Sequence, residues 1–236
     1  MDRRHTEQSD QGLGPALLTS AIVILGGGLR KAAVKMVRVS GTDNYAEEAP
    51  ELLKRYEGIS FADAHRAVMH LIPTEPCRVL DIGAGTGRDA AGFAAMGHRV
   101  VAVEPTDEMR RGAMALHPDP SIEWLDDSLP DLARVRARGE QFDVVMLTAV
   151  WMHLDEQQRR QAMPNVAALV HDGGIMSMTL RHGPVPPGRR MFEVSAEETI
   201  ELAAPLGLDR MVSRPMDLSL RQPGVSWTRL AFRKSL

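Results

Sequence analysis

"LDIGAGTGRDA", residues 80–90, sets glycines at positions 83, 85 and 87 directly after the apolar run "RVLDI" and directly before a segment that reads as helix. A strand ending in glycines lets a ligand lie against bare backbone, and the helix that follows aims its N-terminus at the same point. That describes a nucleotide-type site at the carboxyl end of the first strand of an open α/β sheet. The dinucleotide fingerprint G-x-G-x-x-G would need a small residue at position 88, where Arg88 stands, so a nicotinamide cofactor is disfavoured.

The segments on either side of the loop extend this reading. Residues 44–71 carry apolar residues at helical spacing, broken at Gly58, with Ser60 and Asp63 available as caps, and predict two helices. From residue 78 onward, β-rich runs alternate with helical segments. The strands are predicted at 78–82, 99–104, 122–125, 142–148 and 174–180. Helices are predicted at 88–96, 107–116, 130–138 and 155–170, the last carrying Pro164 inside it. Such alternation implies a parallel sheet covered on both faces. A Gly- and Pro-rich loop, "RHGPVPPGRRMFEVS", follows the fifth strand, and a helix is predicted at 196–206. The last two β-rich runs, joined by a turn at 222–224, read as an antiparallel hairpin at the sheet edge. The expected fold is α/β: a doubly wound, seven-stranded, mostly parallel sheet in a three-layer sandwich, with an antiparallel C-terminal hairpin and N-terminal helices.

With 236 residues the chain suits one buried domain, placed at 44–236, preceded by an extension over 1–43. The apolar stretch at 13–29 falls short of the ~20 residues that a spanning helix asks for and carries Gly and Pro at both ends. It reads as a loosely ordered or surface-packed extension with Met36 as an internal alternative start; a helix docked on the domain and membrane contact are the other readings. A net charge of −3 without long like-charge runs gives no cause for non-specific attraction to nucleic acid or an anionic membrane. Cys77 is the only cysteine, which rules out an intramolecular disulfide and fits a reducing cytoplasm.

Two further strand ends carry acidic groups. Glu104 closes "VVAVE", where a carboxylate can accept both hydroxyl hydrogens of a ribose, and Asp126 and Asp127 follow "IEWL", where one can accept an adenine amino hydrogen. Three successive strands thus end in groups suited to an adenosine.

On "VLDIGAGTG" (79–87), "VVAVEP" (100–105), "WLDDSLP" (124–130) and "FDVVMLTAVWMHL" (142–154), the chain resembles the class I, Rossmann-like S-adenosylmethionine-dependent methyltransferases, in particular the branch acting on small molecules. The resemblance runs from about residue 45 to the C-terminus. It implies S-adenosylmethionine as cofactor, S-adenosylhomocysteine as product and a small-molecule methyl acceptor. By this resemblance Asp81 orients the loop and Gly83, Ala84, Gly85, Thr86, Gly87 and Arg88 admit the methionine part. Glu104, with Pro105 and Met109, holds the ribose side. Asp126 or Asp127, with Ser128 and Leu129, meets the adenine, while Thr148, Ala149 and Val150 face the sulfonium. Tyr45 would fold over the cofactor. The turn before the fifth strand, usually Pro-Gly-Gly in the family, is here Asp172, Gly173, Gly174.

Methyl transfer from a sulfonium is an in-line displacement, so an enzyme's main tasks are positioning and water exclusion, with a general base only where the acceptor must lose a proton. His153 is the first candidate base and His182 the second; each also reads as a packing or solvated histidine. Arg181, Arg189 and Arg190 bracket the Pro-rich loop and are suited either to an anionic group on the acceptor or to solvent and Glu193 or Glu197. Trp151 and Met152 are expected in an apolar acceptor pocket, and Trp124 and Trp227 in sheet packing. No compact His and carboxylate cluster suggests a metal. The Asn-Pro-Pro-aromatic motif of amino-methylating nucleic-acid enzymes is absent, "TAVWMH" standing in its place, and nucleic acid is not expected as partner. A nucleic-acid or protein methyltransferase of the same fold, a cofactor-binding module without turnover and, third, a nicotinamide enzyme remain the alternatives.

Overall fold

A computed structural model describes residues 41–216 and 223–236. The expected extension, with its apolar stretch and Met36, lies outside the described residues apart from 41–43.

Seven strands form one sheet in the order β3-β2-β1-β4-β5-β7-β6. β1 (Arg78–Ile82), β2 (Arg99–Val103), β3 (Ile122–Leu125), β4 (Phe142–Leu147) and β5 (Val170–His182) run parallel. β7 (Ser226–Lys234) is antiparallel to β5 on one side and to β6 (Leu208–Pro215) on the other. The C-terminal hairpin is therefore present, but its second strand is interior and only β6 forms an edge.

Side chains alternate across the strands, and each face is apolar, as a doubly covered sheet demands. Leu80, Ile82, Val145, Leu147, Met176, Met178 and Leu180 share one core with Ala162, Met163 and Val166 of α6 (Glu156–Ala167) and Ala203 of α7 (Ala196–Ala203). Val79, Val100, Ala102, Val144 and Met146 pack on the opposite face against Ala90 and Phe93 of α3 (Arg88–Ala95). Burying each of the Val, Leu, Ile, Met and Phe side chains contributes on the order of 1.5–3 kcal/mol. α1 (Tyr45–Glu57) lays Ala49 and Leu52 against Met109 of α4 (Asp107–Leu116), which ties the N-terminal helix to the domain. A short α5 (Ala133–Ala137) lies between β3 and β4.

Three local outcomes differ from the sequence expectation. The second N-terminal helix is split into α2 (Phe61–His65) and a single 3-10 turn at Met69–Leu71, because Val68, fully buried, has non-helical backbone. α6 runs through Pro164 to Ala167 and stops there; Asp155 and Gln158 cap its start reciprocally. β5 begins at Val170 instead of 174, since the Asp172-Gly173-Gly174 segment is taken up as a register shift within the strand, with Gly173 at φ +79°. Among the described residues no helix is long and apolar enough to cross a membrane.

Candidate active site

At the carboxyl ends of β1, β2 and β4 the chain lines a cavity of about 440 Å³. The glycine loop forms its floor. The N–H groups of Gly83 and Ala84 both donate to the Val103 carbonyl, at 2.8 and 2.9 Å, which folds the end of β1 against β2. Gly83 has φ +72°, and a Cβ there would stand 2.5 Å from Val150 Cγ2; only glycine fits. Gly85 has φ +58°, and a Cβ there would meet only the Gly83 carbonyl oxygen, at 3.9 Å.

Glu104 joins the loop to β2. Its Oε2 accepts the Gly85 N–H at 2.9 Å and its Oε1 the Thr106 N–H at 2.8 Å, and each oxygen keeps a lone pair. Burial raises the Glu104 carboxyl, while these backbone donors pull it back down. Asp81, buried at the end of β1, is pushed well up by burial and then by the Asp89 carboxylate; its Oδ2 has no hydrogen-bond partner among the described residues. Asp89 behaves oppositely: burial opposes ionisation, yet His65, with Nε2 at 2.9 Å, and Arg88, with Nε at 2.7 Å, hold it well below the ordinary range.

His153 closes the opposite wall, in the 3-10 turn Trp151–His153 after β4. Its Nδ1 lies 3.0 Å from the Arg190 carbonyl oxygen, which can only accept, so the ring proton is assigned to Nδ1 and Nε2 presents a lone pair. Tyr45 Oη stands 3.2 Å from that Nε2 and donates to it. Burial lowers the His153 pKa and the nearby Arg189 and Arg181 charges lower it further, against the Arg190 carbonyl, so the imidazole is neutral at pH 7. Burial also drives Tyr45 far upward, keeping its phenol protonated.

The Pro-rich loop and α1 meet over this pair. Arg189 stacks on the Tyr45 ring, 4.0 Å from its centroid, and donates to the Asp43 carbonyl at 2.9 Å and Glu48 Oε2 at 2.6 Å. Asn44 Nδ2 donates to the Gly188 carbonyl at 3.1 Å, and Phe192 N–H to the Met152 carbonyl at 2.8 Å. The loop is thus pinned at both ends.

Most of the residues that the sequence singled out line the cavity: Tyr45, Asp81, Gly83 to Thr86, Arg88, Glu104, Pro105, Asp127 to Leu129, Thr148 to Val150 and His153. Four do not. Gly87 caps α3 in left-handed conformation against Trp124, and Met109 is fully buried beneath α1. Asp126 is half exposed, 3.7 Å from Arg110 and 3.6 Å from Arg134. His182, one residue beyond Arg181 and so on the opposite face of β5, bonds Thr228 Oγ1 at 2.9 Å. Asp127 lines the cavity, but its carboxylate already accepts the N–H groups of Ser128, Arg134 and Val135, where it ties down the start of α5. Trp151 is wholly buried in the core, not in the pocket, whereas Met152 and Trp227 line it.

Sequence reading missed Thr179 and Arg229. Thr179 Oγ1 accepts the N–H of Ala149 at 2.7 Å and holds that residue at φ +60° behind β4. Arg229, fully buried opposite Thr179, donates to the Ala64 carbonyl at 2.8 Å and to Ser177 Oγ at 3.2 Å. The signal was the alternation in "MSMTLR": polar residues at 177, 179 and 181 in a strand otherwise buried on both faces. Among the described residues no group of three or more His, Cys, Asp or Glu could hold a metal ion.

Residues 79–174 match a family model described as a methyltransferase domain. Glycine N-methyltransferase of Mus musculus is 27% identical over 175 residues, covering 64% of this chain and 60% of the relative. The chain thus spans about 60% of the length of such curated relatives. Among solved structures, 1,6-didemethyltoxoflavin-N1-methyltransferase of Burkholderia thailandensis, with bound 1,6-didemethyltoxoflavin and S-adenosylhomocysteine, superposes with a TM-score of 0.63 at 20% identity, over 82% of this chain and 86% of that one. Magnesium protoporphyrin IX methyltransferase of Synechocystis PCC 6803, with S-adenosylhomocysteine, gives 0.64 at 14% identity, over 81% and 96%.

Proposed function

We propose that the chain, whose residues 79–174 match a methyltransferase-domain model, transfers a methyl group from S-adenosylmethionine to an oxygen, nitrogen or sulfur of a small-molecule acceptor. The observation that carries this reading is the cavity that brings the bare glycine backbone, the Glu104 carboxylate and the neutral His153 imidazole to one place.

The residues suit an adenosyl sulfonium. Glu104 keeps a lone pair on each oxygen for ribose hydroxyls, Asp127 keeps one on Oδ1 for the adenine amine, and the unsatisfied Asp81 Oδ2 lies beneath the loop. Gly83 and Gly85 leave room against the backbone for the methionine part. When bound, the cofactor supplies an electrophilic methyl group on a positively charged sulfur.

His153 receives the acceptor proton at Nε2, the nitrogen that carries the lone pair, while the Arg190 carbonyl stabilises the resulting imidazolium through Nδ1–H. Tyr45, donating to Nε2 in the ligand-free arrangement, yields that position to the acceptor and covers the site. The loop clamped by Arg189 on α1 excludes water, which keeps the lone pair of the acceptor unsolvated. A volume of about 440 Å³ shared with the cofactor suits a small acceptor. The single cysteine is in keeping with a cytoplasmic setting.

The test is incubation of purified protein and methyl-labelled S-adenosylmethionine with a cell extract separated into metabolite, nucleic-acid and protein fractions. Label in the metabolite fraction is the expected result. Label confined to nucleic acid or protein would overturn the small-molecule acceptor and keep the enzyme class.

A further inference from the structure

Asn44, Leu132 and Ala149 are the non-glycine residues at positive φ among those described, and of these only Ala149, at +60°, lines the cavity. Alanine avoids that region because its Cβ crowds the carbonyl that follows, so it stays there only where its surroundings hold it. The holding contact is a single bond. β4 and β5 pair backbone to backbone as far as Leu147 and Met178. Two residues beyond Leu147 a side chain takes over, and the Ala149 N–H donates to Thr179 Oγ1 at 2.7 Å. Thr179 is 2% exposed, within a part of β5 that is buried on both faces. Valine has the same shape and no hydroxyl to desolvate, so the hydroxyl is explained by the bond it makes.

The turn held in this way reaches both sides of the cavity. Val150, the next residue, rests on the glycine loop, its Cγ2 lying 2.5 Å from where a Cβ of Gly83 would stand. The Val150 carbonyl accepts the His153 N–H at 3.0 Å and so opens the 3-10 turn that carries the imidazole. Leu147 is fixed in the ladder and Trp151 is wholly buried in the core. A change of φ at Ala149 therefore falls on Thr148 and Val150, and through Val150 on the contact with Gly83 and on the turn.

We infer that Thr179 is a positioning residue, whose hydroxyl holds Ala149 in left-handed conformation and thereby sets where the His153 imidazole stands relative to the glycine loop. Its effect on rate rests on the proposed methyl transfer, whereas the placing of His153 does not. Thr179→Ser keeps the hydroxyl, and Thr179→Val keeps the shape alone. Ala149→Gly relieves the strain, so the turn then depends less on the Thr179 bond.

The experiment compares Thr179→Val and Thr179→Ser with the wild type, and repeats Thr179→Val on Ala149→Gly, with melting curves to establish folding and calorimetry for S-adenosylhomocysteine. Two quantities are then read. One is the titration midpoint of the His153 ring by NMR, its signal identified among the eight histidines by His153→Gln. The ring faces Tyr45 of α1, Arg181 of β5, Arg189 and the Arg190 carbonyl of the Pro-rich loop, and the Asp43 charge, so its midpoint reports its place among them. The other is the rate at which label from methyl-labelled S-adenosylmethionine enters the metabolite fraction of a cell extract.

In folded Thr179→Val the midpoint is expected to rise toward 6.5 as the ring leaves its buried place. The labelling rate is expected to fall about 10-fold, with the S-adenosylhomocysteine Kd within about threefold, because Glu104 and the glycine loop are untouched. Thr179→Ser is expected to restore both quantities, and on Ala149→Gly the further effect of Thr179→Val on rate is expected to shrink to about threefold or less. A midpoint unmoved in folded Thr179→Val, a Thr179→Ser as impaired as Thr179→Val, or an undiminished effect on Ala149→Gly overturns the inference. So does a loss of S-adenosylhomocysteine affinity equal to the loss of rate, which would make Thr179 a part of the cofactor wall. Wild type that labels no fraction would sink the proposed function, while the midpoint, which needs no acceptor, still decides the placing of His153.

Discussion

Tyr45 Oη lies 3.2 Å from His153 Nε2, joining the first residue of α1 to the turn after β4 across 108 positions of sequence. The pair meets edge to face, ring centroids 5.7 Å apart, with the Arg189 guanidinium on the open face of the phenol. A base, its donor and the clamp that covers them thus come from three separate segments, and the predictions follow from taking each away in turn.

Replacing His153 by Gln removes the neutral lone pair while keeping a polar side chain of similar reach. If His153 takes the acceptor proton, kcat falls by about 100-fold or more, and the S-adenosylmethionine Kd stays within about twofold. Steady-state kinetics on the identified acceptor, with calorimetry for the cofactor, separates the two. A fall in cofactor affinity equal to the fall in kcat would make His153 a wall of the pocket and not a base.

The acid limb of the wild-type pH profile should reflect that burial and the Arg189 charge favour neutral His153. Its folded pKa is lowered from 6.5, so the base stays deprotonated at pH values where an exposed histidine would be charged. The half-maximal point of kcat/KM is therefore expected below 6.5. Tyr45→Phe removes a donor to the neutral nitrogen and should move that limb upward; because the bond is given up when the acceptor binds, kcat/KM above the limb is expected to hold or to rise, by at most about fivefold, the worth of one hydrogen bond near 1 kcal/mol. Stability runs in the same direction: the unfolded chain binds a proton to this histidine first as pH falls, so its neutral burial costs stability progressively from about 6.5 down to the lowered value.

Arg189→Ala loosens the Pro-rich loop from α1, since both its bonds and its stacking on Tyr45 are lost and only the Asn44 bond to the Gly188 carbonyl remains there. Limited proteolysis should then cut within 183–190 at an increased rate, and KM for the cofactor should rise severalfold with Tm nearly unchanged. A loop as resistant as in the wild type would remove the clamp from the account.

Asp89→Asn leaves His65 and Arg88 facing a neutral amide in a buried site. The expected loss is about 3 kcal/mol, or roughly 6–12 °C in Tm for a domain of this size. Because His65 and Arg88 depress the folded pKa of Asp89 despite its burial, its contribution in the wild type is present above the ordinary value of 3.8 and disappears as pH falls through the folded value. The variant should lack that part of the acid dependence in chemical denaturation.

Where local chemistry decides, the sequence was readable. The strands of β1 to β4 and the helices α3 and α4 follow from apolar period and glycine position, and the cavity floor from Gly83 and Gly85 with Glu104. Long-range choices were not readable in this way. Asp126 and Asp127 are identical residues side by side; one pairs with surface arginines and the other ties down α5, a difference set by where α5 begins. His182 and Arg181 are neighbours whose roles are decided by strand parity, which puts the arginine in the cavity and the histidine against Thr228. The burial of Arg229 beneath β5 depends on β7 lying inside the hairpin, which the turn at 222–224 does not reveal.

The central claim is that the glycine-loop cavity holds S-adenosylmethionine, and calorimetric titration tests it most directly. Purified protein is titrated with S-adenosylmethionine and, separately, with NADH, beside Gly85→Arg, whose side chain would enter the space before Gly85 without meeting the core. The account predicts one S-adenosylmethionine bound per chain by the wild type, no NADH, and loss of binding in a folded Gly85→Arg. Binding of NADH in its place, or S-adenosylmethionine binding undisturbed by Gly85→Arg, would contradict it.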